Sequence, residues 1–272
     1  MTATTRRVAR SVWRAGKLSH NQRIIPEETP VAFTYNGTSH AVMLATPQDL
    51  EDLATGFSLS ERIVSAVDQI EELDVVEEEI GIDIRMWLAG PRAQALSERR
   101  RFLAGVTGCG LCGIDSLAEA TRSPPMVAEG SRFSPADIIH AMGLIAPLQA
   151  INQKTSAVHA AAYWRPEHGL LALREDVGRH NALDKLGGAL AREHINATDG
   201  IILLTSRVSV EMVQKAASFG APVIAAVSAP TALAVTTAEA AGITLVAVAR
   251  GDGFEVFTHD KRITLKAATH VV

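Results

Sequence analysis

Cysteine, aromatic residues and long apolar stretches are all scarce in this chain, and each scarcity removes a class of protein. Two cysteines in 272 residues cannot make the disulfide framework of a small secreted scaffold. Aromatics supply 4% of the residues, so the core must be built from Ala, Val, Ile and Leu, the palette of a sheet covered by small-residue helices. No charge-free apolar run reaches the roughly eighteen residues that a membrane span needs. An apolar signal-peptide core is missing too, so the expected location is cytoplasmic. Charge is also nearly balanced: 26 basic against 30 acidic side chains give a formal net charge of -4, which argues against broad adhesion to nucleic acid. What remains is an ordinary globular composition, 47% hydrophobic and 21% charged, long enough for one large domain or two modest ones.

The pattern along the chain divides it into three regions. Residues 1–23 carry Arg6, Arg7, Arg10, Arg14, Lys17 and Arg23 with no acid among them, and read as a flexible basic arm. Residues 24–125 read as an N-terminal α+β domain. In it, alternating segments at 31–35 and 40–44 flank Asn36-Gly37, a hairpin signal. Pro47 opens a helix over 47–59, the acids between Glu71 and Glu79 mark a solvated strand, and 82–88 alternates again. A glycine-rich loop, 105–113, holds both cysteines, and Ser123-Pro124-Pro125 marks the boundary.

Residues 126–272 alternate between helical and buried-strand periods, as a three-layer α/β/α domain requires. Helices are expected over 135–148, 180–193, 209–219 and 231–241, with strands at 158–164, 170–174, 201–205, 223–227 and 244–249. Single helices join the last three strands, so right-handed crossovers make them parallel. Their carboxyl ends then share one edge.

Each of those three strands leads into a polar loop: Thr205, Ser206 and Arg207; Ser228 and Thr231; then Arg250, Gly251, Asp252 and Gly253. Loops that open helices present free N–H groups and a positive dipole end to an anion, and arginine completes such a site. One such loop is explained by helix capping alone, but three on one edge favour phosphate. A second polar cluster, Asp176, Arg179, His180, Asn181, Asp184 and Lys185, stands at a strand end and the first turns of a helix. That density calls for either an internal salt-bridged network or a ligand.

Cys109 and Cys112 form a CxxC pair among four glycines. Structural zinc needs four ligands, and the second pair is missing; a thioredoxin-type dithiol belongs at a helix start after a strand. An exposed nucleophilic thiol fits better, its thiolate favoured by Arg99, Arg100 and Arg101 and by free loop N–H groups. Residue chemistry alone leaves sulfur transfer and disulfide exchange both open.

At these residues the chain resembles the formate dehydrogenase accessory sulfurtransferase family, FdhD/NarQ. The motifs are Thr-Gly-Cys-Gly-Leu-Cys-Gly from Thr107, Glu-Asp-Val-Gly-Arg-His-Asn-Ala-Leu-Asp-Lys from Glu175, Thr-Ser-Arg-Val-Ser-Val-Glu-Met-Val from Thr205 and Ser-Ala-Pro-Thr from Ser228. The resemblance implies a sulfur carrier that takes persulfide sulfur from a cysteine desulfurase onto Cys109, with Cys112 assisting. Its acceptor would be the molybdenum bis(molybdopterin guanine dinucleotide) cofactor of formate dehydrogenase, with GDP as a mimic. The family's cofactor-binding segment falls on Val248, Ala249, Arg250, Gly251, Asp252 and Gly253, beside the edge loops and Arg179, His180 and Asn181. Two positions depart from the family: Val248 where an aromatic is frequent, and Ser156-Ala157 where two glycines commonly precede His159. The element order also resembles the cytidine deaminase-like fold, a mixed sheet, but the two helix starts lack the H-x-E and P-C-x-x-C ligands of a deaminase zinc site. A homodimer is expected on base rates alone.

Overall fold

Paired left-handed residues mark the first two chain reversals. Ala15 and Gly16 (φ 49° and 78°) and Asn36 and Gly37 (φ 49° and 74°) have the two positive φ values of a type I′ turn, whose twist matches the flanking antiparallel strands. They join β1 (Thr5–Arg14) to β2 (Lys17–Pro26) and β3 (Thr29–Tyr35) to β4 (Thr38–Ala45). The computed structural model describes residues 2–94, 96 and 123–264. Where the sequence reading expects a flexible arm over 1–23, the chain forms the β1–β2 hairpin. Val8 and Val12, on one strand face, are partly buried, as are Ile24 and Ile25 at the base.

The second hairpin belongs to a four-stranded sheet of order β4-β3-β6-β5, with β5 at Ile70–Glu78 and β6 at Gly81–Leu88. Val31, Phe33, Tyr35, Ile84 and Met86 point to one face and meet Leu53 and Phe57 of α1 (Leu50–Ser60). This helix starts three residues later than expected because Thr46 is engaged elsewhere: its amide donates to Asp176 (2.9 Å) and its carbonyl accepts from Lys185 (2.9 Å).

From Ser134 the chain turns helical through a capping box with Asp137. The single helix expected over 135–148 is two, α2 (Pro135–Gly143) and α3 (Ile145–Leu148), and a further short helix that the sequence reading lacks, α4 (Ala150–Thr155), follows them. Gly143 and Pro147 interrupt the expected helix, because one lacks helix propensity and the other lacks an amide donor. There follow β7 (His159–Arg165), β8 (Gly169–Asp176), α5 (Arg179–Arg192), β9 (Ile201–Leu204), α6 (Val210–Ser218), β10 (Val223–Ala226), α7 (Ala232–Ala241), β11 (Thr244–Arg250) and β12 (Gly253–Thr258). These strands form one mixed sheet, order β12-β11-β10-β9-β7-β8. As expected, β9, β10 and β11 run parallel; β12, which the sequence reading lacks, adds an antiparallel edge.

Strand alternation divides the core between the two faces of this sheet. Tyr163, Ile202, Leu204, Ile224 and Leu245 pack with α5, α6 and α7, while Trp164, Ile201, Leu203, Val223 and Val246 pack with α2 and α3. The result is the mixed α/β class, with helices on both faces of the sheet. No described helix is long and apolar enough to cross a membrane.

The two sheets meet through α1 and α5. A Cβ at Gly56 would stand 1.8 Å from the Asp184 carbonyl oxygen, and one at Gly188 would stand 1.9 Å from that of Asp52. Only glycine lets these helix backbones approach so closely. Asp52 reinforces the contact, accepting from Arg174 (2.8 Å) and Arg192 (2.7 Å).

Candidate functional site

The three polar loops are brought together as one hydrogen-bonded edge. Thr205 prolongs β9 along β7, its hydroxyl oxygen accepting from the Ala160 amide (2.8 Å). Val208 exchanges backbone bonds with the next loop: its amide donates to Ala229 O (3.4 Å) and its carbonyl accepts from Thr231 (3.0 Å). Val248 then donates to Ser228 O (3.4 Å). Arg207 and Arg250 are exposed along this edge, and Gly251 and Asp252 form the exposed turn into β12. Ala249 is buried beside them.

Val248 has φ 52°, in the left-handed region that a β-branched residue seldom occupies. The register between β11 and β12 is shifted between Ala247 and Arg250. A bulge of this kind at a strand's carboxyl end re-aims the backbone, and here it turns the segment toward the Ser228 loop.

The start of α5 lies against the start of α6. His180 Nε2 is 3.5 Å from Ser209 Oγ and 3.4 Å from Glu211 Oε2, and the Ser209 hydroxyl donates to Glu211 (2.7 Å). Burial, reinforced by the Arg179 cation, holds the His180 pKa below its ordinary value. The same two causes lower His159, on the adjoining strand. Burial works against the Glu211 carboxylate, but the Ser209 hydroxyl and His180 outweigh it and keep that pKa below the usual range. Both imidazoles are therefore held toward the neutral form beside a permanent cation. Among the described residues the Nε of Arg179 is buried with no hydrogen-bond partner, a donor that a bound anion would satisfy.

The rest of the polar cluster faces inward. Lys185 and Asp176 are wholly buried, 2.7 Å apart. Asp176 also accepts from the amides of Thr46 and Gly178 and from Asn181. Asn181 donates its other amide hydrogen to Leu44 O (2.8 Å), so its side chain is committed to the interior. Asp184 accepts from Ser60 (2.8 Å) and, through both oxygens, from Lys215 (2.9 Å). Burial disfavours the Lys215 ammonium, yet Asp184 and Glu61 outweigh it and hold the pKa above its ordinary value. Thr231 caps α7 by accepting from Ala234 (3.2 Å), and the Ser206 hydroxyl donates to Arg207 O (3.0 Å). Of the sequence-derived candidates, Arg179, His180, Arg207 and Arg250 therefore keep side-chain groups available to a ligand. Cys109 and Cys112, with Arg99 to Arg101, lie outside the described residues.

Sequence reasoning left out three members of this cluster: His159, Ser209 and Glu211. The signal for two was present, since a serine two residues before a glutamate at a helix start commonly ties the first turn. His159 had none, being one polar residue at the head of an apolar strand.

Arginines, neutral imidazoles and helix-start amides around parallel strand ends suit a phosphorylated ligand. Among the described residues, no group of three or more His, Cys, Asp or Glu side chains is placed to hold a metal ion. A crystal structure titled as a putative formate dehydrogenase accessory protein from Desulfotalea psychrophila shares this fold, with a TM-score of 0.75 at 23% identity, over 96% of this chain and all of that one. The chain is 52% identical over 264 residues to the sulfur carrier protein FdhD of Agrobacterium fabrum, covering 97% of each. It is 54% identical over 265 residues to the sulfur carrier protein FdhD of Brucella abortus, covering 96% of this chain and 98% of that one. With residues 26–264 matching the FdhD/NarQ family model, the edge at β9, β10 and β11 and the CxxC sequence occur in a chain that belongs to the FdhD/NarQ family.

Proposed function

We propose that this chain is a sulfurtransferase of the carrier type. It takes sulfane sulfur from a cysteine desulfurase and delivers it to the molybdenum bis(molybdopterin guanine dinucleotide) cofactor destined for formate dehydrogenase. One observation carries the reading: Arg179, Arg207 and Arg250 surround an edge of parallel strand ends and helix starts, in a relative of proteins named sulfur carriers. A dinucleotide substrate brings the phosphates that such an edge suits.

Chemistry would begin when the Cys109 thiolate attacks the outer sulfur of the donor persulfide. The donor S–S bond breaks, the donor leaves as thiolate and Cys109 holds the persulfide. Attack by the Cys112 thiolate on the Cys109 sulfur then expels the outer sulfur as hydrosulfide, the species delivered to the metal. It leaves a Cys109–Cys112 disulfide, which a dithiol reductant must reopen. Arg179 and the helix starts hold the phosphates during delivery, and the neutral His159 and His180 add no charge until an anion draws a proton to them.

The full chain, incubated with a cysteine desulfurase and cysteine, is expected to gain the mass of one sulfur atom on the peptide containing Cys109. No gain on the wild-type chain overturns the carrier reading in favour of a non-catalytic chaperone with redox-sensing thiols. Cys109→Ala is expected to lose that gain and to fail to support formate dehydrogenase. It should still respond to GDP, which raises the melting temperature by mass action, about 2.7 kcal/mol at a hundredfold excess over Kd. Arg179→Ala and Arg250→Ala should diminish the GDP shift; shifts equal to wild type would place the phosphates elsewhere.

A further inference from the structure

Helices α5 and α6 meet along rungs spaced one turn apart. At the top, where both helices begin, His180 stands opposite Glu211 (3.4 Å). Four residues further along each helix, Asp184 stands opposite Lys215, with both carboxylate oxygens 2.9 Å from Nζ. A turn below, the Phe219 ring lies against Gly187, where a Cβ would stand 2.1 Å from it. The spacing follows from the helix itself, because residues three and four apart share one face. The bottom rung is apolar and the top rung is half-exposed. The middle rung is both charged and buried, with Asp184 1% and Lys215 8% exposed.

A third helix closes on the same ammonium. Besides Asp184, Lys215 Nζ donates to the Ser60 hydroxyl (2.9 Å) and to Glu61 (3.5 Å), so each of its three donors has an acceptor. Ser60 in turn donates to Asp184 (2.8 Å), and the Phe57 ring centroid is 5.9 Å from Nζ. Phe57 and Ser60 belong to α1, and Glu61 is its C-cap. Burying an ammonium is costly, and apolar residues of similar volume would stabilise this junction as well or better. What the ion pair adds is direction: it admits one rotation of α6 about its axis where apolar packing admits several. A turn of one residue, about 100°, would carry Glu211 and Ser209 away from His180.

We propose that Lys215 is a positioning residue for the anion edge: gripped by Asp184 of α5 and by Ser60 and Glu61 of α1, it fixes the rotation of α6 and so holds Ser209 and Glu211 against His180. The proposal rests on the reading of that edge as a phosphate site. Lys215 touches no ligand and acts through the residue one turn above it, Glu211, which tethers the imidazole beside Arg179. The groups facing His180 are Arg179 and Asp184 on its own helix and Ser209, Glu211 and Lys215 on α6.

The test is Asp184→Asn with Lys215→Met in the full chain, which removes both charges together, because Lys215→Met alone would strand a buried carboxylate. A melting temperature near wild type is expected and separates placement from stability. The His180 signal in NMR titrations is then followed with and without Glu211→Gln. In the wild-type background Glu211→Gln lowers the His180 pKa, since the carboxylate favours the cation. In the double-variant background the same substitution should leave His180 unmoved, because Glu211 no longer faces it. The GDP dissociation constant of the double variant should rise about tenfold. A His180 that responds to Glu211→Gln equally in both backgrounds overturns the proposal, as does a GDP affinity equal to wild type. A wild-type chain that binds no GDP removes the phosphate reading instead, and the histidine response by itself then decides whether Lys215 sets the contact. Should the double variant melt far below wild type, Ser60→Ala replaces it: the response of His180 to Glu211→Gln should shrink there too, and an unchanged response overturns the proposal.

Discussion

Lys185 Nζ lies 2.7 Å from Asp176 Oδ2 with both side chains fully out of solvent, and between them they tie β4, α1's approach, β8 and α5 together. Asp176 takes the amides of Thr46 and Gly178, and Lys185 donates to Thr46 O. A buried pair of this kind is costly to break from one side because the remaining charge has no solvent. Lys185→Met or Asp176→Asn is therefore expected to destabilise the fold by about 3–5 kcal/mol, read as a lowered denaturation midpoint. A loss under about 1 kcal/mol for Lys185→Met would show that the pair is not a structural tie.

The close passage of α1 and α5 makes a sharper expectation. Gly56→Ala and Gly188→Ala each push a methyl into the backbone carbonyl of the facing helix, at 1.8 and 1.9 Å, and no rotamer change relieves a clash with backbone. Gly143→Ala is the control, since a Cβ there meets nothing within 4 Å and alanine favours a helix by about 1 kcal/mol over glycine. Thermal melts should show the first two well below wild type and the third at or above it. Comparable melts for all three would mean that the helices separate freely.

Much of the C-terminal sheet could be read from sequence because its signals are local. The run Ile201–Leu204 has no polar face, as a strand covered on both sides requires, and single helices joining β9, β10 and β11 dictate parallel strands. Non-local facts were not legible. Asn181 looks like a ligand-binding amide until Leu44, 137 positions earlier, is seen to accept from it. The hairpin was hidden because its cations outweigh the two valines that anchor it. Strand β12 was hidden because Gly251-Asp252-Gly253 reads as a ligand loop and is also the turn that reverses the chain. The separation of His180 and Arg179 from the inward residues of the same motif is a matter of which way each side chain leaves one helical turn.

Ser156 ends α4 with φ 54°, in the left-handed region that glycine occupies without strain. A non-glycine residue in this region bears roughly 1–2 kcal/mol of strain, while glycine adds unfolded-chain entropy of about 0.5–1 kcal/mol. Ser156→Gly should therefore raise stability by somewhat under about 1 kcal/mol, measurable as a small rise in melting temperature. A fall would mean that the serine hydroxyl contributes more than the backbone strain costs.

Titration of the histidines links the electrostatics of the α5 start to ligand capture. Burial and the Arg179 cation lower His180, with Lys215 adding to them and Glu211 opposing; His159 is lowered by burial and Arg179 and raised by Asp176. Removing the cation in Arg179→Met should raise both pKa values, whereas Glu211→Gln should lower that of His180 further. Histidine proton signals in NMR titrations report each group separately, and unchanged values in Arg179→Met would refute the assignment. Both groups have folded pKa values below the unfolded value of about 6.5, so the unfolded chain takes up protons first as pH falls. Their contribution to stability is complete above about 6.5 and is lost as pH drops toward the folded values, less so in Arg179→Met. A bound phosphate should shift both imidazoles in the same upward direction by favouring their cations. By reciprocity, GDP binding should then tighten as pH falls through that window, and an affinity independent of pH would separate the histidines from the ligand.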